Sequence, residues 1–272
     1  MDDEVIILGS GGGRHHIRTQ HRATGGILYK FNGNQAHIDP GPGAVVRINQ
    51  YGEDPTKTDL FIVTHVHIDH FSDISAMIEA SRPNFYDKHR NFVKKGTLIT
   101  TNDALPYIPN YHKNMLEKVI HFKPGDIYQF NNAKITGTKV IHTPKVEGFG
   151  IRFDLKKYSI AFSSDTMVFD GFSEQFSEQF SGVNVLILNL LRPDSVTCKR
   201  HLCTDEVIPY LNRINPCLDA LIITHFGSYM DGFRANLNHV PSQVKKLKEN
   251  TKIRNVIAAE DGLKIKIKNI LK

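Results

Sequence analysis

No stretch of the chain approaches the roughly 18 uninterrupted apolar residues that a membrane span requires. The first residues supply no secretory leader either: acidic "MDDE" runs into an apolar segment of only about five residues before Gly9. Cysteine is scarce. Cys198, Cys203 and Cys217 form neither a CxxC pair nor an even set, which excludes a disulfide framework and suits a reducing compartment. Together these absences lead us to expect a cytoplasmic protein that does not enter a membrane.

What is present is a globular composition, with 40% hydrophobic and 23% charged residues in 272. We read residues 1–272 as a single domain. A chain of this size buries enough apolar surface to fold without staples, so any bound metal is expected to be functional. The formal charge is +6, with one basic block in "GRHHIRTQHR" (13–22) and another in "KKLKEN" and the "LKIKIKNILK" tail. Such an excess suits phosphate-bearing partners, although solvated lysines on surface helices explain the C-terminal block equally well.

Short β-like runs separated by turn signals occupy the first 40 residues ("EVIILG", "GGILYKFNG", "QAHIDPGPG"). They return after position 119 as "KVIHF", "DIYQFNN", "AKITGTKVIHT", "GFGIRFDL" and "YSIAFSSD". Helical patterns fall at 71–80, 172–180, 204–214 and 241–250. Later, "NVLILNLL" and "LDALIITHF" are apolar strands that each lead into a helix, an order that implies sheets covered by helices. In "FSEQFSEQF" the spacing of four aligns Phe172, Phe176 and Phe180 as a packing stripe. Residues 81–118, interrupted by Pro83, Pro106 and Pro109, are the hardest to assign and are a candidate cover for a site mouth.

The chemistry concentrates in "FIVTHVHIDHFSD" (61–73). If the backbone stays extended beyond the apolar strand, His65, His67 and Asp69 share one side while Val66 and Ile68 turn inward. A helix then starts near His70, with Asp69 as its cap and Ile74, Met77 and Ile78 on its apolar face. Two imidazoles on one face grip one cation, and Asp69 with His70 can face a second, as in two-metal hydrolytic sites. A solvated loop with a capping aspartate is the plainer reading of the same residues, but imidazole and carboxylate at this spacing are what borderline cations choose.

This stretch resembles the signature of the metallo-β-lactamase superfamily of hydrolases. The resemblance implies an α/β fold, a four-layer αββα sandwich of two mixed sheets flanked by helices. It also asks for further ligands at strand ends, and His142, Asp165 and His225 occur in that order. By the resemblance, His65, His67 and His142 would hold one metal, and Asp69, His70 and His225 the other, with Asp165 bridging. Zinc is the first expectation for the two divalent ions, manganese and iron being accepted by the same donors. Asp69 would additionally orient or deprotonate the attacking water.

Three features bear on substrate. The glycine-rich turn followed by Arg14, His15, His16, Arg18, His21 and Arg22 suits a phosphate held by backbone N–H groups and arginines, and is similar to the opening of the ribonuclease Z and cyclic-phosphodiesterase branch; a flexible loop with a solvated basic face is the alternative. His201, before a helix whose cap is taken as Thr204, resembles the extra histidine that this branch sets beside the leaving group, where a charged imidazole touches phosphate or donates a proton. Against transfer-RNA processing, Asn189 stands where ribonuclease Z enzymes carry a glutamate, and no long glycine- and proline-containing arm is evident; Asp73 also replaces a glycine common in the superfamily. The expectation is therefore a metal-dependent phosphodiesterase acting on a nucleotide, cyclic phosphate or RNA, with Arg14, Arg18 and His201 on the substrate and Asp69 and His201 catalytic. A lactonase or other carboxylic ester or amide hydrolase, and a non-catalytic metal-containing binding protein, are the alternatives. A homodimer is expected from general frequency.

Overall fold

The structure, a computed structural model, describes residues 2–82, 94–196, 198–214, 217–232 and 237–272. Its strands in chain order are β1 (Glu4–Ile7), β2 (Ile27–Phe31), β3 (Asn34–Ile38), β4 (Leu60–Val63), β5 (Thr97–Thr100), β6 (Lys118–His121), β7 (Ile127–Phe130), β8 (Ala133–Lys139), β9 (Phe149–Asp154), β10 (Ser159–Phe162), β11 (Val185–Asn189), β12 (Ala220–Thr224), β13 (Asp231–Gly232), β14 (Leu237–Asn238), β15 (Asn255–Ala258) and β16 (Lys264–Lys266). The helices are α1 (Gly13–Thr19), α2 (Ala44–Gln50), α3 (Ile68–Phe71), α4 (Ile74–Ala80), α5 (Asn110–Lys113), α6 (Phe172–Phe180), α7 (Thr204–Ile214) and α8 (Val240–Asn250).

Two 7-stranded sheets dominate, ordered β16-β1-β2-β3-β4-β5-β6 and β15-β12-β11-β10-β9-β8-β7. Each sheet is antiparallel on one side and parallel on the other: β3, β4, β5 and β6 run parallel in the first, and β10, β11, β12 and β15 in the second. The expected pair of mixed sheets flanked by helices is what the chain forms. Side-chain alternation explains the layering. Val5, Ile7, Tyr29, Leu60 and Ile62 meet Phe153, Ile160, Ile187 and Ile222 of the second sheet in one core. Ile6, Leu28, Phe61 and Val63 turn to the opposite face, where Ile48 of α2 and Ile74, Met77 and Ile78 of α4 cover them. The Tyr29 and Tyr158 hydroxyls, buried in the inter-sheet core, lie 2.7 Å apart, and Tyr158 donates on to Asp3.

α6 occupies the expected residues, and Phe172, Phe176 and Phe180 are buried along one face with successive ring centroids 5.3 and 4.8 Å apart. Five strands were not apparent in the pattern: β5, inside the 81–118 segment, the two-residue β13 and β14, and β15 and β16 near the C-terminus. Lys264 and Lys266 therefore lie on a strand, where Ile265 alone points inward, and not on a surface helix. Of the 81–118 segment, 83–93 lies outside the described residues. Among the described residues no helix is long and apolar enough to cross a membrane.

The helix expected at 71–80 is split. β4 ends at Val63 and the chain turns into the short α3 at Ile68, so strand alternation does not continue through the motif. Ile68 is consequently 51% exposed and not turned inward, while Val66 is half-buried against the α2/α4 side. Asp69 lies within α3 and is not its cap. Asp73 precedes α4, and its carboxylate accepts from the Gly43 backbone N–H at 3.0 Å, joining the starts of α2 and α4.

Candidate metal centre

Parallel strands deliver their chemistry at their C-terminal edges, and both sheets do so here toward one point. Asp39 follows β3, Thr64 and His65 follow β4, Ser164 and Asp165 lie just beyond β10, Asn189 ends β11 and His225 follows β12. His142 arrives on the loop after β8. Asp39, Ser164 and His225 have φ values of 53, 55 and 60°, a left-handed conformation that costs non-glycine residues about 1–3 kcal/mol each and is retained where surroundings impose it.

The ligand atoms of His65, His67 and His142 converge: His65 Nε2 is 3.0 Å from His67 Nδ1, which is 3.1 Å from His142 Nε2. Asp69, His70 and His225 form a second group, with His70 Nε2 3.0 Å from His225 Nε2 and the latter 3.3 Å from Asp69 Oδ2. Asp165 sits between them, its Oδ2 3.5 Å from His70 Nε2 and 3.8 Å from His142 Nε2. All seven residues expected as ligands are thus brought together by the fold.

The donor set fits divalent cations. Imidazole nitrogens facing one another at about 3 Å are mutually repulsive unless a proton or a cation lies between their lone pairs. The far nitrogens of three of the rings are engaged in the manner that orients a metal ligand. His70 Nδ1 meets Asp39 Oδ2 at 2.8 Å, His142 Nδ1 meets the Arg200 carbonyl at 2.7 Å, and His65 Nδ1 meets Thr64 Oγ1 at 3.1 Å. Thr64 Oγ1 donates to Asp39, so the His65 ring donates to Thr64 and leaves Nε2 free for the site. His225 Nδ1 is buried without a hydrogen-bond partner.

Electrostatics agree with geometry. Burial pushes His65 well below the usual imidazole range and the neighbouring His70 adds to it; burial and His142 lower His67. Burial would also lower His70, but Asp165, Asp39 and Asp69 outweigh it and hold the ring well above its ordinary value. Asp165 is opposed by burial, yet His225 and His70 keep it well below the carboxylate range.

Asp39 was missed in the sequence. It reads there as the tail of a strand, yet it holds both His70 and the Thr64 backbone N–H. The signal was its position after a parallel strand, which no local pattern distinguishes from an antiparallel one. Asn189, in the place of the expected glutamate, donates from Nδ2 to Asp165 Oδ1 at 2.8 Å, leaving Oδ2 toward the histidines.

The glycine-rich turn has a different role from the one its composition suggests. Its N–H groups are committed within the protein: Gly9 to the Gly26 carbonyl, Ser10 to Asp261, Gly11 to Ala23, Gly12 to Phe226 and Gly13 to Asp69 Oδ2 at 2.6 Å. The anion it serves is Asp69. Gly12 is required because a Cβ there would lie 2.2 Å from the His225 ring. The basic block divides likewise. Arg22 is bound to Asp231 and Ser10, and His16 is fully buried, burial driving it down to about 4. Arg14 is exposed at the cleft edge, whereas Arg18, one turn further along α1, is exposed and outside the cleft lining.

Above the histidines opens a cleft of about 630 Å³, lined by His67, Asp69, His142 and Asp165, and by Arg14, Arg192, Arg200 and His201. His201 Nδ1 lies 3.6 Å from Asp165 Oδ2, and its ring centroid is 4.5 Å from that of His142. Burial pushes His201 down to about 3 against the pull of Asp165. Thr204 is the first residue of α7 and not its cap; Glu206 reaches back to the Cys203 N–H at 3.2 Å, half of a capping box.

A chain with this fold and this cluster belongs to the beta-lactamase superfamily: the family model described as "Beta-lactamase superfamily domain" matches residues 34–226, and the fold implies divalent metal binding. The uncharacterized protein MJ1374 of Methanocaldococcus jannaschii is 34% identical over 99% of this chain and 97% of its own. Ribonuclease Z of Aeropyrum pernix is 28% identical over 39% of this chain and 31% of its own. Among solved structures, the metallo-beta-lactamase fold protein YhfI of Bacillus subtilis superposes with a TM-score of 0.74 at 18% identity, covering 97% of this chain and 99% of that one. A diphosphatase of the PhnP family gives 0.69 at 18% identity, covering 99% and 100%.

Proposed function

We propose that the chain is a dinuclear metal-dependent phosphodiesterase acting on a nucleotide, cyclic phosphate or RNA end. The observation that carries this reading is the charge of the cleft. Its floor is the histidine and aspartate cluster, and the only carboxylates among its described lining residues, Asp69 and Asp165, belong to that cluster; the walls carry Arg14, Arg192 and Arg200. Cationic walls around a metal-binding floor suit a phosphate ester better than an uncharged ester. The names of two similar proteins, a ribonuclease Z and a diphosphatase, denote cleavage of phosphate linkages and support the same choice.

In this reading His65, His67 and His142 would hold one cation, and Asp69, His70 and His225 the other, with Asp165 available to both groups. Divalent cations held there would supply Lewis acidity toward the phosphoryl oxygens and make water a stronger acid. The chain's own residues do the rest. Asp69, fixed by the Gly13 N–H, orients the attacking water and accepts its proton. His201 stands beside Asp165, where an arriving phosphate favours its protonated form and it donates to the leaving oxygen. Asp39 and the Arg200 carbonyl hold His70 and His142 in their orientations.

A panel of bis-(p-nitrophenyl) phosphate, cyclic nucleotides, a transfer-RNA precursor and a lactone, each with added zinc or manganese, tests the reading. Turnover of phosphodiesters is expected, with the transfer-RNA precursor poor because Asn189 replaces glutamate. Turnover of the lactone alone would overturn the phosphate assignment.

A further inference from the structure

Arg192 follows β11 by three residues, and its backbone is pinned to Cys203, two residues beyond His201, by a parallel bridge. The guanidinium carbon stands 4.4 Å from the centroid of the Tyr229 ring, which holds the plane of the group in one orientation. The side chain lines the cleft with His142, Asp165 and His201. Its Nε and Nη1 are closed to water and have no hydrogen-bond partner, and no salt bridge reaches it among the described residues.

Two other partly buried arginines have carboxylate partners. Arg22 meets Asp231 at 2.6 Å and Arg152 meets Asp154 at 2.8 Å. Two guanidinium N–H groups removed from water without an acceptor are costly, and a half-buried arginine that lines the cleft can recover that cost by meeting an anion there. Arg14 and Arg200 line the same cleft but are exposed, so water already satisfies them. We propose that Arg192 is the substrate-binding residue that takes a non-bridging phosphate oxygen of a phosphate mono- or diester, with Tyr229 as the plate that presents it. This rests on the phosphodiesterase reading for the identity of the substrate, but its anion-binding content stands separately.

The test uses the metal-loaded full chain with Arg192→Gln and Arg192→Lys variants. Calorimetry with inorganic phosphate, and KM for bis-(p-nitrophenyl) phosphate, are compared with wild type, alongside metal content and thermal unfolding. A hydrogen-bonded charge pair of this kind corresponds to about 10- to 100-fold in binding. Arg192→Gln should weaken phosphate and raise KM by that factor with metal content retained, and Arg192→Lys should recover part of it. Unchanged phosphate affinity in Arg192→Gln overturns the proposal, as does a loss that accompanies loss of metal in both variants. If wild type binds phosphate through Arg192 but cleaves no diester, the functional reading fails and the anion site stands.

Discussion

Replacing Asp165 by alanine should lower hydrolysis by about a thousandfold or more and remove bound metal. Lewis-acid stabilisation by a cation contributes several kcal/mol, each 1.36 kcal/mol being tenfold, and Asp165 is the side chain common to both ligand groups, within 3.5 Å of His70 and 3.8 Å of His142. It is also the largest of the three carboxylate charges that raise His70 above its ordinary value. Elemental analysis of purified Asp165→Ala should show substoichiometric metal, while far-ultraviolet circular dichroism stays native, because the sheets meet through apolar residues away from the cluster. Full metal content in this variant would remove Asp165 from the proposed bridging position.

His201→Ala should separate chemistry from metal binding. A positioned general acid contributes about 10²- to 10⁴-fold, so kcat on a phosphodiester with a poor leaving group should fall by about a hundredfold or more. The fall should be smaller with p-nitrophenolate, which leaves without a proton. His142, Asp165 and His201 also present ligand atoms within 4.8 Å of one another, and the same variant distinguishes the two roles. Retained metal with the leaving-group dependence supports proton donation; loss of one metal ion assigns His201 as a ligand.

Much of this arrangement was legible in the residues, for identifiable reasons. Apolar strands such as "LFIV" and "ALIIT" are buried on both faces and announce themselves as continuous runs, and the cluster residues at His65, Asp165 and His225 follow such runs closely. β5, with only "TLIT" in a proline-broken neighbourhood, and β16, whose two lysines flank a single inward isoleucine, carry too little pattern to stand out. Asp39 and Arg192 depend on contacts across the fold. Asp39 reaches His70 over 31 positions, and Arg192 draws its meaning from Tyr229. The glycine turn misled in the other direction. Its composition matches an anion-binding loop, but which acceptors its N–H groups meet is a tertiary fact, and they meet Asp69, Phe226, Ala23 and Gly26.

The most direct test of the whole account is the metal content of the wild-type chain, measured by inductively coupled plasma mass spectrometry before chelation, after chelation and after reloading. Two divalent ions per chain should be found, removed together with phosphodiesterase activity and restored with it. A fully active chain that carries no transition metal would contradict the account.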